Sequence, residues 1–267
     1  AREGDTFDEL TRLHNKRFSS IEVGKMGSAV TGSGENDESG RKGNEVDSLL
    51  HCYQVYGHVM ETGRNAVDRI VSGEQVDYES LYNFSCDVFN LIVHNQKSLF
   101  ALMGLKRHDD YTFIHCLNVG VLSMYQARYL GFPQDQVIRL GMAGLFHDVG
   151  KIAIKNALLN KGGKLSDAEF ENIKSHPVIG AELLLRNQSI DKLFFIACMQ
   201  HHMGVDLSRY PRTKYLKRQS LAARIVAVSD VYDALRSRRS YKAGMSLERV
   251  HDIMRKESGT LLDAELV

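Results

Sequence analysis

Tryptophan is absent from this chain of 267 residues, proline occurs three times and cysteine four times. Cys52, Cys86, Cys116 and Cys198 stand far apart and form no CxxC pair, which argues against a disulfide framework or a cysteine zinc site. Reduced thiols in the cytoplasm are the expectation, with Cys116 a buried structural residue. Also missing is any apolar run near the roughly 20 residues that span a bilayer. Residues 1–10 carry acids and no apolar block, unlike a secretory signal. A strong charge of either sign is lacking too: the formal net charge is +1. That excludes wholesale binding to a nucleic acid polymer or an acidic membrane, while a local basic site stays open.

Scarce proline leaves long segments available for helices. Between Gly24 and Asn44 glycine, serine and charged residues dominate, so 1–45 is read as a flexible N-terminal segment and linker. Residues 46–107 read as a helical lead-in packed on the core. Leu49, Tyr53, Tyr56 and Met60 recur at helical steps, as do Leu81, Val88, Leu91 and Ile92, with a break at Ser72-Gly73. Beyond Tyr111 further helices follow in short succession. Ser166 with Glu169 has capping-box spacing, Pro133 and Pro177 fit helix beginnings, and Leu221–Leu235 is helical. Residues 203–218 carry Gly204 and Pro211 and read as a loop. No strand pattern is strong enough to build a sheet, so the fold class is all-α.

The chemistry lies in histidines and aspartates. His147-Asp148 ends the apolar run Gly144-Leu145-Phe146 and offers an imidazole nitrogen and a carboxylate, ligands suited to iron, manganese or zinc. The two oxygens of Asp148 allow it to bridge two metals. Lys151, at i+3 from Asp148, falls on the same helical face, where it would meet a phosphate. His115, His176, His201, His202 and Asp230 follow at wide intervals. His176 precedes Pro177, which biases it out of helical geometry, and Asp230 sits in an apolar helix where an unpaired carboxylate is costly. A lone histidine is usually a satisfied core or surface group, and His14, His51, His58, His94, His108 and His251 are assigned to that class.

Order and context distinguish the others. Phe146-His-Asp-Val-Gly-Lys-Ile, Lys174-Ser-His-Pro, His201-His202, the stretch from Ala223 to Leu235, and Asp110-Tyr-Thr with His115 together resemble the motifs of the HD-GYP family of the HD hydrolase superfamily. The match runs from about Asp110 to the C-terminus, so 108–267 is the expected catalytic domain, an HD-domain helical bundle whose closing helix, beginning near Gly259, is cut short. The resemblance implies His115, His147, Asp148 and Asp230 around one metal, and Asp148, His176, His201 and His202 around a second. Asp148 and a hydroxide would bridge them, with Asp233 in support. Two divalent ions, iron or manganese, would acidify that water for attack on a phosphodiester. Lys151, Arg239 and Lys242, with Tyr210, would contact the substrate. Family members with a third metal have a glutamate four residues before the first histidine. Here that residue is Tyr111, a neutral phenol of pKa about 10, which implies two metals.

The implied activity is hydrolysis of a cyclic dinucleotide to a linear dinucleotide and, after a second cut, GMP. Cyclic di-GMP is the default substrate, with 3′,3′-cyclic GMP-AMP as the alternative. Where the family has aspartate-glycine-x-glycine-tyrosine-proline, this chain reads Asp206-Leu-Ser-Arg-Tyr-Pro211. Losing both glycines puts the loop conformation, substrate preference and signalling protein partners in question. The loop is basic, with Arg209, Arg212, Lys214, Lys217 and Arg218, and reads either as an electrostatic rim for a dianion or as a solvated loop. An adaptor that binds the dinucleotide with little turnover is the competing class, favoured weakly by the altered loop and opposed by the intact ligand set.

Overall fold

The computed structural model describes residues 38–103, 111–237 and 244–267. The chain divides at Asp47/Ser48 into two units; of the first, only the helical residues 38–47 are described. Eleven α-helices occur among the described residues: α1 (Glu38–Ser72), α2 (Tyr78–His94), α3 (Gln96–Met103), α4 (Tyr111–Tyr129), α5 (Gln134–Phe146), α6 (Asn156–Leu159), α7 (Asp167–Ile173), α8 (His176–Leu185), α9 (Lys192–Gln200), α10 (Leu221–Arg236) and α11 (Leu247–Glu257). A 3-10 turn, Val149–Ala153, follows α5. The described residues hold no strand, only an isolated bridge between Ser258 and Leu262. The all-α reading holds.

α4, α5, α8, α9 and α10 form the centre of the bundle. α4 packs on α5 at a distance set by missing side chains: a Cβ on Gly144 would lie 2.9 Å from the Gly120 Cα, and one on Gly120 2.8 Å from the Gly141 carbonyl oxygen. This contact brings the start of α4, with His115, close to the end of α5, with His147. Phe146 and Phe194 stack inside at 5.5 Å between centroids and are fully buried. Each contributes roughly 1.5–3 kcal/mol through burial alone, which fixes α9 against α5. α11 covers α10 through Val250 and Met254, packed with Val228 and Leu262.

Several expectations are corrected here. The linker read as running to Asn44 is helical from Glu38; extension of an established helix outweighs the roughly 1 kcal/mol penalty of each glycine. Residues 1–37 lie outside the described residues. The buried face of α1 is Cys52, Gly63, Ala66 and Ile70; of the expected stripe, Tyr53 is half exposed and Tyr56 and Met60 are only partly buried, while the Leu49 side chain lies outside the described residues. Small residues win because α1 lies close: a Cβ on Gly63 would touch the Phe113 ring at 3.0 Å. The lead-in also holds three helices rather than two. Leu81, Val88, Leu91 and Ile92 are buried as expected, and the break falls at Gly73, with φ 75°. The capping box of Ser166 and Glu169 is present. Gly259–Val267 does not open a closing helix; it forms turns, with Gly259 at φ 83°.

Candidate metal centre

His147 caps the end of α5 and Asp148 opens the 3-10 turn. The expected α-helical continuation through this pair is therefore absent. The turn still places Lys151 over Asp148, because residues i and i+3 eclipse in a 3-10 helix. His115 projects from the first turns of α4, His176 is the first residue of α8, His201 caps α9 with His202 beyond it, and Asp230 comes from α10. His176 was expected outside helical geometry. Its neighbour Ser175 is already in the αR region, so proline sits harmlessly in the first turn.

These seven side chains converge around Asp148, which is 2 % exposed. Its Oδ1 faces His176 Nε2 at 3.1 Å and His201 Nε2 at 3.7 Å. Its Oδ2 faces His147 Nε2 at 3.2 Å and His115 Nε2 at 3.9 Å, and accepts from Lys151 Nζ. Asp230 Oδ1 lies 3.0 Å from His115 Nε2 and 3.9 Å from His147 Nε2. Donor atoms of Asp148, His176, His201 and His202 fall within 4.8 Å of one another, as do those of His115, His147 and Asp148, and those of His147, His201 and Asp230.

Four of the five imidazoles are oriented from behind. His147 Nδ1 is 2.7 Å from the Gly144 carbonyl, His176 Nδ1 2.7 Å from that of Ile173, and His201 Nδ1 2.7 Å from that of Cys198. Carbonyls only accept, so these nitrogens carry the proton and each Nε2 presents a lone pair inward. His115 gives its Nδ1–H to Asp233 Oδ2 at 2.7 Å. Asp233 is in turn held by Asn118 Nδ2 at 2.9 Å and Ser237 Oγ at 3.1 Å. Such buttressing fixes ring orientation in metal sites. Sequence reasoning flagged Asp233 but missed Asn118, whose i+3 spacing from His115 was the available signal.

Two buried atoms at the focus, His147 Nε2 and Asp148 Oδ1, have no hydrogen-bond partner among the described residues. An unsatisfied buried polar atom costs about 1–3 kcal/mol, and cations held at this focus would satisfy both. Five imidazoles and two carboxylates are donors that a divalent transition metal accepts. The residues fit a metal site. Electrostatics agree. Burial alone would raise the Asp148 carboxyl, but His147 and Lys151 hold it well below the usual carboxylate range. Asp230 is likewise held down against burial, chiefly by its contact with His115. Burial pushes His202 down to about 3 despite nearby Asp230, and burial pushes His201 well below its ordinary value. Both are neutral at pH 7, the form that donates a lone pair to a metal.

Lys151 donates to Asp148, and although burial opposes its charge, Asp148 and Asp230 keep its pKa above the usual lysine value. Tyr210 stacks 4.8 Å from His202, with burial raising its phenol. Arg239 and Lys242 lie outside the described residues. Tyr111 opens α4, but its side chain is likewise outside them. His51, His58, His94 and His251 are exposed, away from the cluster; His14 and His108 are not among the described residues. Cys116 and Cys198 are buried, which raises both thiols well above their ordinary value. Among the described residues no disulfide joins the cysteines.

The altered loop keeps a glycine-like backbone without the glycine. Leu207 adopts φ 58°, held by Val205 N–H donating to the Thr260 carbonyl at 2.8 Å and by Arg209 paired with Glu257 at 2.7 Å. A leucine there carries roughly 1–2 kcal/mol of backbone strain. Leu207→Gly is therefore expected to raise unfolding stability by about 1 kcal/mol after losing some side-chain packing, measured by chemical denaturation. Equal or lower stability would show the loop to be unstrained.

An HD domain family model matches residues 90–266. The chain belongs to the HD domain family. The HD-GYP resemblance stands as well. The chain is 37% identical over 197 residues to a cyclic di-GMP phosphodiesterase of Pseudomonas aeruginosa, covering 74% of this chain and 47% of that protein. It is 34% identical over 157 residues to the 3′3′-cGAMP-specific phosphodiesterase 3 of Vibrio cholerae, covering 59% and 34%. The chain thus spans less than half the length of these relatives. Among solved structures, an HDG"Y"P protein from Bdellovibrio bacteriovorus matches the fold with a TM-score of 0.69 at 18% identity, covering 86% of this chain and 72% of that one. Among the described residues, no helix is long and apolar enough to cross a membrane.

Proposed function

We propose that this HD domain is a metal-dependent phosphodiesterase that opens a cyclic dinucleotide, cyclic di-GMP by default. One observation carries the reading: Asp148 turns one oxygen toward His176 and His201 and the other toward His147 and His115. A carboxylate so shared suits two cations, with His115, His147 and Asp230 on one side and His176, His201 and His202 on the other. Iron or manganese fits this donor set. When bound, such cations supply Lewis acidity toward a phosphoryl oxygen and a water acidified enough to attack at neutral pH.

The chain's own residues supply the rest. Asp233 and the three backbone carbonyls hold His115, His147, His176 and His201 in the tautomer that donates inward. Lys151, permanently charged, swings from Asp148 to a non-bridging phosphate oxygen as negative charge builds in the transition state. Arg239 and Lys242 follow directly on the helix that carries Asp230 and would hold the second phosphate. Oxygen from water bonds to phosphorus as one P–O bond to ribose breaks, the departing ribose oxygen takes up the proton that the water gives up, and a linear dinucleotide leaves. The alternative substrate is 3′,3′-cyclic GMP-AMP, supported by the resemblance to relatives specific for it.

The test is product analysis on protein reconstituted with Fe(II) or Mn(II), given each dinucleotide in parallel. Linear product that vanishes on chelation is expected; tight binding with no product would overturn the reading in favour of an adaptor. Asp233→Asn should weaken metal affinity about 10–100-fold while the fold persists, because the amide no longer anchors His115 Nδ1–H with a charge. Competition with a metallochromic chelator measures this, and unchanged affinity would remove Asp233 from the site.

A further inference from the structure

Beside the metal centre lies a groove of about 670 Å³, lined by Phe170, Lys174, Arg209, Tyr210, Pro211 and Arg212 among others. Tyr210 forms the partition, with one side of its surroundings given by His202 at 4.8 Å and His176 at 6.4 Å between centroids. Beyond it Phe170 stands nearly perpendicular to Tyr210, at 6.4 Å and 81°. Lys174 Nζ sits 4.6 Å from the Phe170 centroid and 5.9 Å from that of Tyr210. Phe170 is nevertheless 44% exposed. An aromatic ring left open to water, fixed in orientation by a neighbouring ring and a cation, is a stacking platform.

We infer that this groove is the nucleobase subsite of the proposed phosphodiesterase, with Phe170 stacking on a purine and Arg212 reading its edge. The inference deepens the functional reading above and rests on it. Size suits the occupant, since small-ligand pockets run from about 300 to 1,000 Å³. Position suits it as well: a base whose phosphate reaches Asp148 has one nucleotide's length in which to pass Tyr210. Charge favours an anion through Arg212, since Lys174 is paired with Glu171 at 2.6 Å, itself in the groove wall, and Arg209 with Glu257 at 2.7 Å. Arg212 gives one terminal N–H to the Ser208 carbonyl at 3.1 Å; a guanidinium has five in a planar fork. Guanine O6 and N7 form two adjacent acceptors that match such a fork, whereas adenine presents an acceptor next to a donor. The subsite therefore selects guanine, which both candidate substrates contain.

The experiment uses the Mn(II)-reconstituted chain, with kcat and KM for cyclic di-GMP and the Kd of a cleavage-resistant bis-phosphorothioate analogue measured side by side. Phe170→Ala is expected to raise KM and Kd about tenfold, the effect falling on KM rather than kcat and bound manganese staying constant; Phe170→Tyr should restore both. Arg212→Ala is expected to reduce the preference for the cyclic di-GMP analogue over its cyclic di-AMP counterpart about tenfold. Wild-type KM and Kd in Phe170→Ala would overturn the subsite while leaving the phosphodiesterase standing. Binding of the analogue that depends on Phe170, without cleavage of cyclic di-GMP, would overturn the activity and uphold the subsite. An analogue that does not bind at all would overturn both.

Discussion

Asp148→Asn is expected to empty both halves of the metal centre and to reduce turnover by about a thousandfold or more. The carboxylate turns one oxygen to each set of imidazoles. An amide keeps the shape but offers one neutral oxygen, and its nitrogen, a donor, faces ring nitrogens whose lone pairs point inward. Loss of several kcal/mol of transition-state stabilisation corresponds to the stated factor at 1.36 kcal/mol per decade. The same change leaves half-buried Lys151 without its carboxylate. Breaking a fully buried pair typically destabilises by about 3–5 kcal/mol, and a partly exposed one by less, so the metal-free variant should unfold at lower denaturant than metal-free wild type. The pH dependence gives a separate check. A carboxyl held below its ordinary value contributes stability that is full above about pH 4 and lost as pH falls. The variant's stability should therefore be flatter on the acid side. Metal content by plasma emission, turnover and acid denaturation read these three effects independently; retention of two metal equivalents would remove Asp148 from its bridging place.

The sequence made the candidate ligands legible because their chemistry cannot be disguised. A metal site needs imidazole and carboxylate, and His147-Asp148, His176, His201-His202 and Asp230 stand in contexts that few other arrangements share. Helices were legible for a similar reason: with three prolines in the chain, periodicity had little to compete with. What stayed hidden was set by close approach between elements distant in sequence. The burying face of α1 follows its small residues because Phe113 and Leu145 press against Gly63, a partner no local pattern names. The left-handed backbone at Leu207 is imposed by anchors at Thr260 and Glu257, about fifty positions downstream, so the missing glycines looked more disruptive than they are. Phe170 carried no sequence signal at all. In a short amphipathic helix it reads as a core residue, and only the loop facing it turns it into the wall of a groove.

Gly150→Ala carries the second large effect, and it tests how the fold sets the metal geometry. A Cβ at this position would lie 2.0 Å from the His176 carbonyl oxygen and 2.5 Å from the Gly180 nitrogen. Both are backbone atoms of α8, so no rotamer change relieves the contact; α8 must move, and His176 moves with it. Overpacking of this kind costs about 1–3 kcal/mol and occasionally more. The expected result is a folded but less stable protein that retains metal on the His115 side, loses it on the His176 side and turns over at background. Gly180→Ala offers the control. Its added Cβ would meet Cys198 Sγ at 2.6 Å, a side-chain atom, and the Gly150 nitrogen at 2.9 Å, so Cys198→Ala in the same chain should relieve the shorter contact and recover part of the lost stability and metal. No side-chain truncation should recover Gly150→Ala. If Gly150→Ala instead keeps wild-type metal stoichiometry and rate, the contact between the 3-10 turn and α8 does not position His176, and the spacing of the two halves of the centre must be set elsewhere in the bundle.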